Sequence, residues 1–305
     1  GHADLLYDVT KWRQAGEDRV FERRHLPRLQ AGQIGGLGLS IWTTVEQDSI
    51  WSAHPDWDGW RRTEEMMARA REELAECPWL ALVRTAAEAR KAQAEGKLFA
   101  FLSVEGMEPV GDRLERLEQY AQWGVRMGML TWNEENLLAC GAGGNPDRGL
   151  TELGREAVRR MQRLNILPDV SHTSDRSFWD IMDLAEGPVI ASHSNCRALC
   201  DVRRNLTDDQ LRAIRDTGGV VGLNLYRGFV GGASMDALVA HVEHFLHLDG
   251  EKTLCIGGDL DGCEALAAGM NGAEDVPQLY EALEKQGYGK ALLEDIFWNN
   301  LRRLL

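Results

Sequence analysis

Two histidines share one local signature. His172 in PDVSHTS and His193 in VIASHSN each close a short apolar run, and each is followed by a hydroxyl residue. One amphipathic segment, residues 175–185, separates them, so they lie one strand–helix–strand unit apart. In a parallel sheet that spacing brings both imidazoles to the carboxyl ends of neighbouring strands, the edge where α/β barrels collect catalytic groups. Four more residues of ligand type share the placement. His2 and Asp4 in GHADL are two residues apart and project from the same face of a first strand. Glu105 ends the apolar run KLFAFLSVE, and Asp259 ends TLCIGGD. Three imidazoles and three carboxylates suit zinc or a similar divalent ion. Six such groups exceed what one open catalytic zinc uses and match two metals bridged by a carboxylate and a water. Taken singly, a strand-end carboxylate often caps the next helix, and a lone histidine is usually a satisfied polar residue. The coincidence on five strand ends carries the argument.

The elements that must position these groups follow from the hydrophobic pattern. Strands are expected at 1–4, 35–42, 97–105, 125–132, 167–172, 188–193, 218–226 and 253–259. Helical patterns run over 13–30, 61–95 (interrupted near Cys77-Pro78), 113–123, 151–165, 207–217 and 234–248, and 276–285 and 290–304 close the chain. Thr151 is an expected N-cap, and TDDQ at 207–210 reads as a capped helix start. The loop 43–57 carries Trp51, His54 and Trp57, and 133–149 is a long glycine-rich loop. Strict alternation argues a parallel sheet. Eight units without a Pro/Gly/Ser linker in 305 residues argue one (β/α)8 TIM barrel spanning 1–305, with the helices of 276–305 packing on it. No GxGxxG follows a strand, which weighs against a dinucleotide-binding sheet.

Net charge is −14, with 27% charged and 44% hydrophobic residues and no basic stripe, so neither nucleic acid nor an anionic membrane is expected as a partner. Six cysteines form no CxxC pair, which fits reduced thiols in a cytoplasmic protein. A signal segment removed ahead of Gly1 is compatible with the same features. No apolar run reaches the roughly 18 residues of a membrane span.

The strings GHADL, SVEG, DVSHTS, ASHSN, RRNLTDDQL and GGDLDG together resemble the renal or membrane dipeptidases of the amidohydrolase superfamily, along essentially the whole chain. The resemblance implies a (β/α)8 barrel with two zinc ions that hydrolyses dipeptides, many members accepting a D-residue at the C-terminal position, and it implies a homodimer. By motif, His2, Asp4 and Glu105 would hold one zinc, and Glu105, His172 and His193 the other. Asp259 would be the general acid/base beside a bridging hydroxide. Arg204, eleven residues after His193, would bind the carboxylate of the dipeptide.

Two departures stand out. The family's LTH motif reads LTWN here, with Trp132 where a histidine contacts the tetrahedral intermediate. Trp donates one hydrogen bond and carries no charge; the neighbouring Asn133 is a candidate substitute, and both are named as substrate-binding candidates. Cys140 stands in ACG where the family commonly has Asp. Tyr7, Trp42 and Tyr226, at or just past strand ends, either wall the pocket or simply pack; Tyr7 and Tyr226 complete the candidate substrate site. Other amidohydrolases, acting on cyclic amides or as deaminases, commonly begin with HxH and several use a carboxylated lysine. Here the motif is HxD and no lysine ends a strand. A catalytically impaired metal-binding barrel is the remaining alternative, supported by Trp132. His241, His244 and His247, spaced by three on one helix, read as an outer helix surface, and Cys196 and Cys200 as packing residues.

Overall fold

The computed structural model describes residues 1–44 and 49–305; residues 45–48 of the expected 43–57 loop lie outside the described residues. The strands are β1 (His2–Ala3), β2 (Gly36–Trp42), β3 (Leu80–Leu82), β4 (Leu98–Glu105), β5 (Val125–Met129), β6 (Leu167–Asp169), β7 (Val221–Asn224) and β8 (Leu254–Leu260). All pairings between them are parallel, in the order β6-β5-β4-β2-β1-β8-β7. The ring closes through residues 189–194. Ile190 bridges to Asp169, Ala191 bridges to Val221, and the Ser194 N–H reaches the Gly222 carbonyl at 2.8 Å. The fold is a (β/α)8 barrel.

The expected strand at 188–193 is thus realised as two bridges rather than a continuous ladder. β3 is a strand where helix was expected. Pro78 cannot continue the preceding helix, Gly59–Glu76, and the short apolar run after it pairs with Leu98–Ala100. That edge of β4 is free because β5 pairs with β4 only from Leu102 onward. The expected helix 13–30 is also broken. Leu5–Gln14 is helical, Gly16 leaves it at φ +90°, and a π turn, Phe21–His25, leads into the helix Leu26–Ala31. The buried Glu73 carboxylate organises this break by accepting the N–H groups of Val20 and Phe21 at 2.9 and 2.8 Å.

Other expectations hold in detail. Thr151 caps Glu152–Arg163 through the Gly154 N–H, and Thr207 and Gln210 form a reciprocal capping box on Asp208–Asp216. Every residue of β4 is buried, as a strand covered on both faces requires. β2 and β4 pair in unbroken register from Gly36↔Phe99 to Trp42↔Glu105, which sets Trp42 beside Glu105 at the carboxyl rim. The C-terminal helices lie against the opposite end. Trp298 meets Phe99 edge-on at 5.5 Å, and the Asn300 amide donates to the carbonyls of Glu251 and Leu254.

Ring closure at 189–194 depends on close backbone approach. A Cβ on Gly222 would lie 2.0 Å from the Ser192 carbonyl oxygen and 2.6 Å from the Gly257 Cα. Both neighbours are backbone and cannot rotate away. Gly222→Ala therefore lowers stability by about 1–3 kcal/mol through overpacking, or roughly 2–4 °C of melting temperature per kcal/mol. Thermal denaturation checks this; an unchanged melting temperature would contradict the packing described.

Candidate metal and substrate site

Each ligand-type side chain leaves the carboxyl end of its strand. Two of them do so from strained backbone: His172 has φ +69° and Asp259 φ +60°. Non-glycine residues avoid that region, and such strain is stored where the surroundings over-determine it, often at functional sites. His172 lies just past the end of β6, and Asp259 is the last residue but one of β8.

The cluster is centred on Glu105. Its Oε2 lies 2.9 Å from His2 Nε2 and its Oε1 2.9 Å from His172 Nε2. His2 Nε2 is also 3.5 Å from Asp4 Oδ2, and His172 Nε2 is 2.9 Å from His193 Nε2. Three groups of donors converge: His2, Asp4 and Glu105; Glu105, His172 and His193; and His2, His193 and Asp259. All are buried, His193 fully and Asp4 and Asp259 to within 8%. Ligands held about 2.0–2.1 Å from a tetrahedral zinc stand about 3.3 Å from one another, so these spacings fit ligands converging on a cation. The charges point the same way. Asp4, Glu105, Asp169 and Asp259 are four buried carboxylates facing one buried guanidinium, Arg204, and buried charge must be compensated. Buried atoms without partners, including Asp4 Oδ1, fit the same reading.

The titration behaviour follows from this crowding. Burial is the largest influence on Glu105 and would raise it, but His2 and His172 outweigh burial and hold it well below the usual carboxylate range. Burial, then Glu105, pushes Asp4 up to about 7. Burial disfavours charge on His2 too, yet Glu105 and Asp4 raise it well above its ordinary value. Burial and Arg204 lower His172 to about 4, and burial with His2 and Arg204 holds His193 well below its ordinary value. Both are thereby kept neutral. Asp259 is raised by burial and then by Glu105, against His2 and the Asn224 amide, which donates to Asp259 Oδ2 at 2.9 Å.

Around this cluster the remaining candidates take distinct places. Arg204, 9% exposed, makes two long contacts, Nη1 to Ser194 Oγ at 3.4 Å and Nη2 to the His193 carbonyl at 3.3 Å. Its Nε has no partner among the described residues, so donor capacity is left for a ligand. The guanidinium lies 5.2 Å over Phe229, whose ring Tyr226 meets edge-on. Trp132 lies between Trp42 and His172, with ring centroids 5.6 and 6.1 Å away, and Tyr7 extends the row at 5.6 Å from Trp42. The Tyr7 hydroxyl accepts the Ile50 N–H. Asn133 is engaged through its amide oxygen. Its Oδ1 accepts from His172 Nδ1–H at 2.9 Å, which fixes the tautomer and leaves His172 Nε2 facing Glu105.

Sequence reasoning missed Asn224 and Ser192. Asn224 was findable as a polar residue ending β7; Ser192, 2.8 Å from His193 Nδ1, had no signal beyond preceding a histidine. The three-histidine helix is not an outer surface throughout. His241 is fully buried, accepting the Cys196 N–H and donating to the Val230 carbonyl, while His244 pairs with Asp208.

The family model for membrane dipeptidase, peptidase family M19, matches residues 1–305. The chain belongs to this family. It is 32% identical over 239 residues to an uncharacterized protein of the pqqA 5′ region of Klebsiella pneumoniae, covering 74% of this chain and 88% of that one. It is 38% identical over 190 residues to an uncharacterized dipeptidase of Schizosaccharomyces pombe, covering 59% of this chain and 45% of that one. Among solved structures it is similar to a metallopeptidase from Rhodobacter sphaeroides liganded with a phosphinate mimic of the dipeptide L-Ala-D-Ala. That likeness has a TM-score of 0.89 and 27% identity, over 99% of this chain and 96% of that one. M19 members are metal-dependent peptidases, and the donor cluster fits that requirement. No helix among the described residues is long and apolar enough to cross a membrane.

With His2 and Asp4 as ligands, metal uptake would displace the protons they hold. Apparent affinity should therefore rise with pH through about 7, with proton release on binding. Calorimetric titration with zinc, in buffers of differing ionisation enthalpy between about pH 6 and 8, measures this. An affinity that ignores pH over that range would contradict the assignment of His2 and Asp4 as ligands.

Proposed function

We propose that this chain is a binuclear zinc dipeptidase with a preference for small L-Xaa-D-Xaa dipeptides. The observation that carries the reading is the division of Glu105: each oxygen faces a different histidine at 2.9 Å, the arrangement of a carboxylate shared by two ions. His2 and Asp4 complete one side, and His172 and His193 the other. Zinc held there by these residues would supply Lewis acidity and would make water acidic enough to act near neutral pH.

The other roles belong to this chain's own residues. Asp259, raised by burial and oriented by Asn224, is placed beside His2 and His193 to take a proton from water and return it to the leaving amine. Arg204, with its unpartnered Nε, binds the carboxylate of the dipeptide, a task its planar fork does better than a lysine. Tyr226 and Phe229 shape the arginine side of the pocket; Tyr7, Trp42 and Trp132 wall the other and exclude water from the reacting bond. The preference for a D-residue is supported by the ligand of the Rhodobacter structure.

A screen of L-Xaa-L-Xaa and L-Xaa-D-Xaa dipeptides on zinc-loaded protein tests the substrate class, with metal analysis expected to give two ions per chain. Absence of dipeptide hydrolysis by the doubly loaded protein would refute the proposal. Asp259→Asn should retain both ions and lose about 10²–10⁴ in kcat; wild-type turnover would remove it as acid/base. Arg204→Ala should raise KM about ten- to a hundredfold for substrates with a free carboxylate, the worth of a charged hydrogen-bond pair. An unchanged KM would rule out that role.

A further inference from the structure

Past Ser194 the barrel wall is continued by a side chain. The 189–194 segment pairs with β7 through backbone groups, Gly222 N–H to the Ala191 carbonyl and Ser194 N–H to the Gly222 carbonyl, each at 2.8 Å. At the next position the Asn195 amide takes over. Its Oδ1 accepts the Asn224 N–H at 2.9 Å, and its Nδ2 donates to the Asn224 carbonyl, also at 2.9 Å. A side-chain amide presents an acceptor and a donor in one plane, so it can pair with both backbone groups of a residue as another strand would. Asn195 is itself held from behind. Its N–H donates to Asn205 Oδ1 at 3.3 Å, and its carbonyl accepts the Leu206 N–H at 2.9 Å. All three asparagines, 195, 205 and 224, are fully buried.

The residue held in this way is the last of β7, where the register with β8 shifts between Leu223 and Asn224. The Asn224 side chain has one orientation open to it. Its Oδ1 accepts the Tyr226 N–H at 2.7 Å, which turns Nδ2 toward Asp259 Oδ2 at 2.9 Å and the His193 carbonyl at 3.4 Å. Turned over, the amide would set oxygen against carboxylate and N–H against N–H.

We propose that Asn195 is a positioning residue for Asp259, acting through Asn224. Asn195 fixes both backbone groups of Asn224, and the Asn224 amide fixes the carboxylate of Asp259, whose own backbone is left-handed. The arginine side of the pocket does not depend on it in the same way. Asn195 Nδ2 also donates to the Phe229 carbonyl at 3.3 Å, but that carbonyl keeps the closer Asn205 amide at 2.8 Å. The Phe229 ring beneath Arg204 is therefore secured without Asn195. Loss of Asn195 should act on turnover and leave KM in place.

The proposal rests on the reading of Asp259 as acid/base, and the experiment separates the two. Zinc-loaded wild type, Asn195→Ala, Asp259→Asn and the variant carrying both substitutions are compared on the dipeptide cleaved fastest in the screen above. Asn195→Ala should lose about 10–100-fold in kcat, the cost of a misplaced reacting group, with KM within about twofold and zinc content as in wild type. Hydrogen exchange over residues 221–226 should quicken, because the Asn224 N–H loses its acceptor. In the Asp259→Asn background the same substitution should cost less than about threefold, as members of one chain do. Wild-type kcat, an equal loss in both backgrounds, or loss of zinc overturns the proposal; the last two are what a general structural role would give. Because Asn195→Ala strands two buried backbone groups, Asn195→Asp is tested beside it. It keeps the volume and the acceptor, loses the amide donors, and should show the same fall in kcat. Asn224→Ala removes the amide that meets Asp259 and leaves both backbone pairings with Asn195; wild-type kcat there overturns the proposal whatever the Asn195 variants do. Wild-type turnover by Asp259→Asn would overturn the acid/base reading and this proposal together. A slow Asp259→Asn beside folded Asn195 variants of wild-type kcat would overturn this proposal alone.

Discussion

The dominant constraint in this protein is that one buried carboxylate, Glu105, must satisfy two imidazoles at once. His2 arrives from β1 and His172 from beyond β6, and the carboxylate that meets both is a side chain from β4. Its charge is held by both rings against a burial that would neutralise it. Asp4 and Asp259 then cannot be comfortably ionised nearby, and both are displaced upward by burial and by Glu105. The centre is an electrostatic frame that the protein alone leaves unbalanced. Divalent cations relieve it, because they reward every carboxylate and every neutral imidazole together.

Such a frame requires strand ends placed to within a few tenths of an ångström, and the barrel supplies this with backbone rather than side chains. The unbroken β2–β4 register delivers Glu105 to the rim next to Trp42. Glycine at 222 admits the 189–194 segment so closely that a methyl group would collide with a carbonyl. Left-handed backbone at His172 and Asp259 sets the direction of two of the cluster's side chains near the strand ends. Strain there is tolerable because hydrogen bonds on every side leave no relaxed alternative. Ser171, Ser192, Ser194 and Asn195, all in the motif segments, are buried and spend their groups on backbone or on neighbouring side chains. The motif therefore builds the wall that aims the ligands as well as the ligands themselves.

This explains what was legible in the sequence. The ligands were readable because a polar residue closing an apolar strand is conspicuous, and because parallel alternation sends every strand end to one face. The capped helices at Thr151 and Thr207 were readable because their signals are local. Leu80–Leu82 was not, since a three-residue apolar run carries no period and its pairing depends on where β5 begins. The weak closure at 189–194 was misread as a full strand for the opposite reason: its composition is strand-like, but its hydrogen bonds go to β6 and β7 at single points and otherwise to side chains such as Asp169 and Ser171. The break at Gly16 turned on Glu73, some fifty residues away in sequence and invisible to any local pattern.

Trp132 shows most clearly how composition and geometry differ in what they reveal. From sequence it is a loss, an indole where a titratable ring was expected. In the fold it is the middle of an aromatic row, Tyr7–Trp42–Trp132–His172, with neighbouring centroids within about 6 Å of one another. Such a row carries no proton; it packs aromatic rings against one side of the centre. The next residue, Asn133, accepts from His172 through Oδ1, and its amide NH2 is a separate donor. LTWN therefore differs from LTH in the kind of help it gives. In place of a titratable ring it offers an indole packed in the row and an amide whose oxygen accepts from His172. Arg204, buried beside the cluster, brings a further positive charge to it.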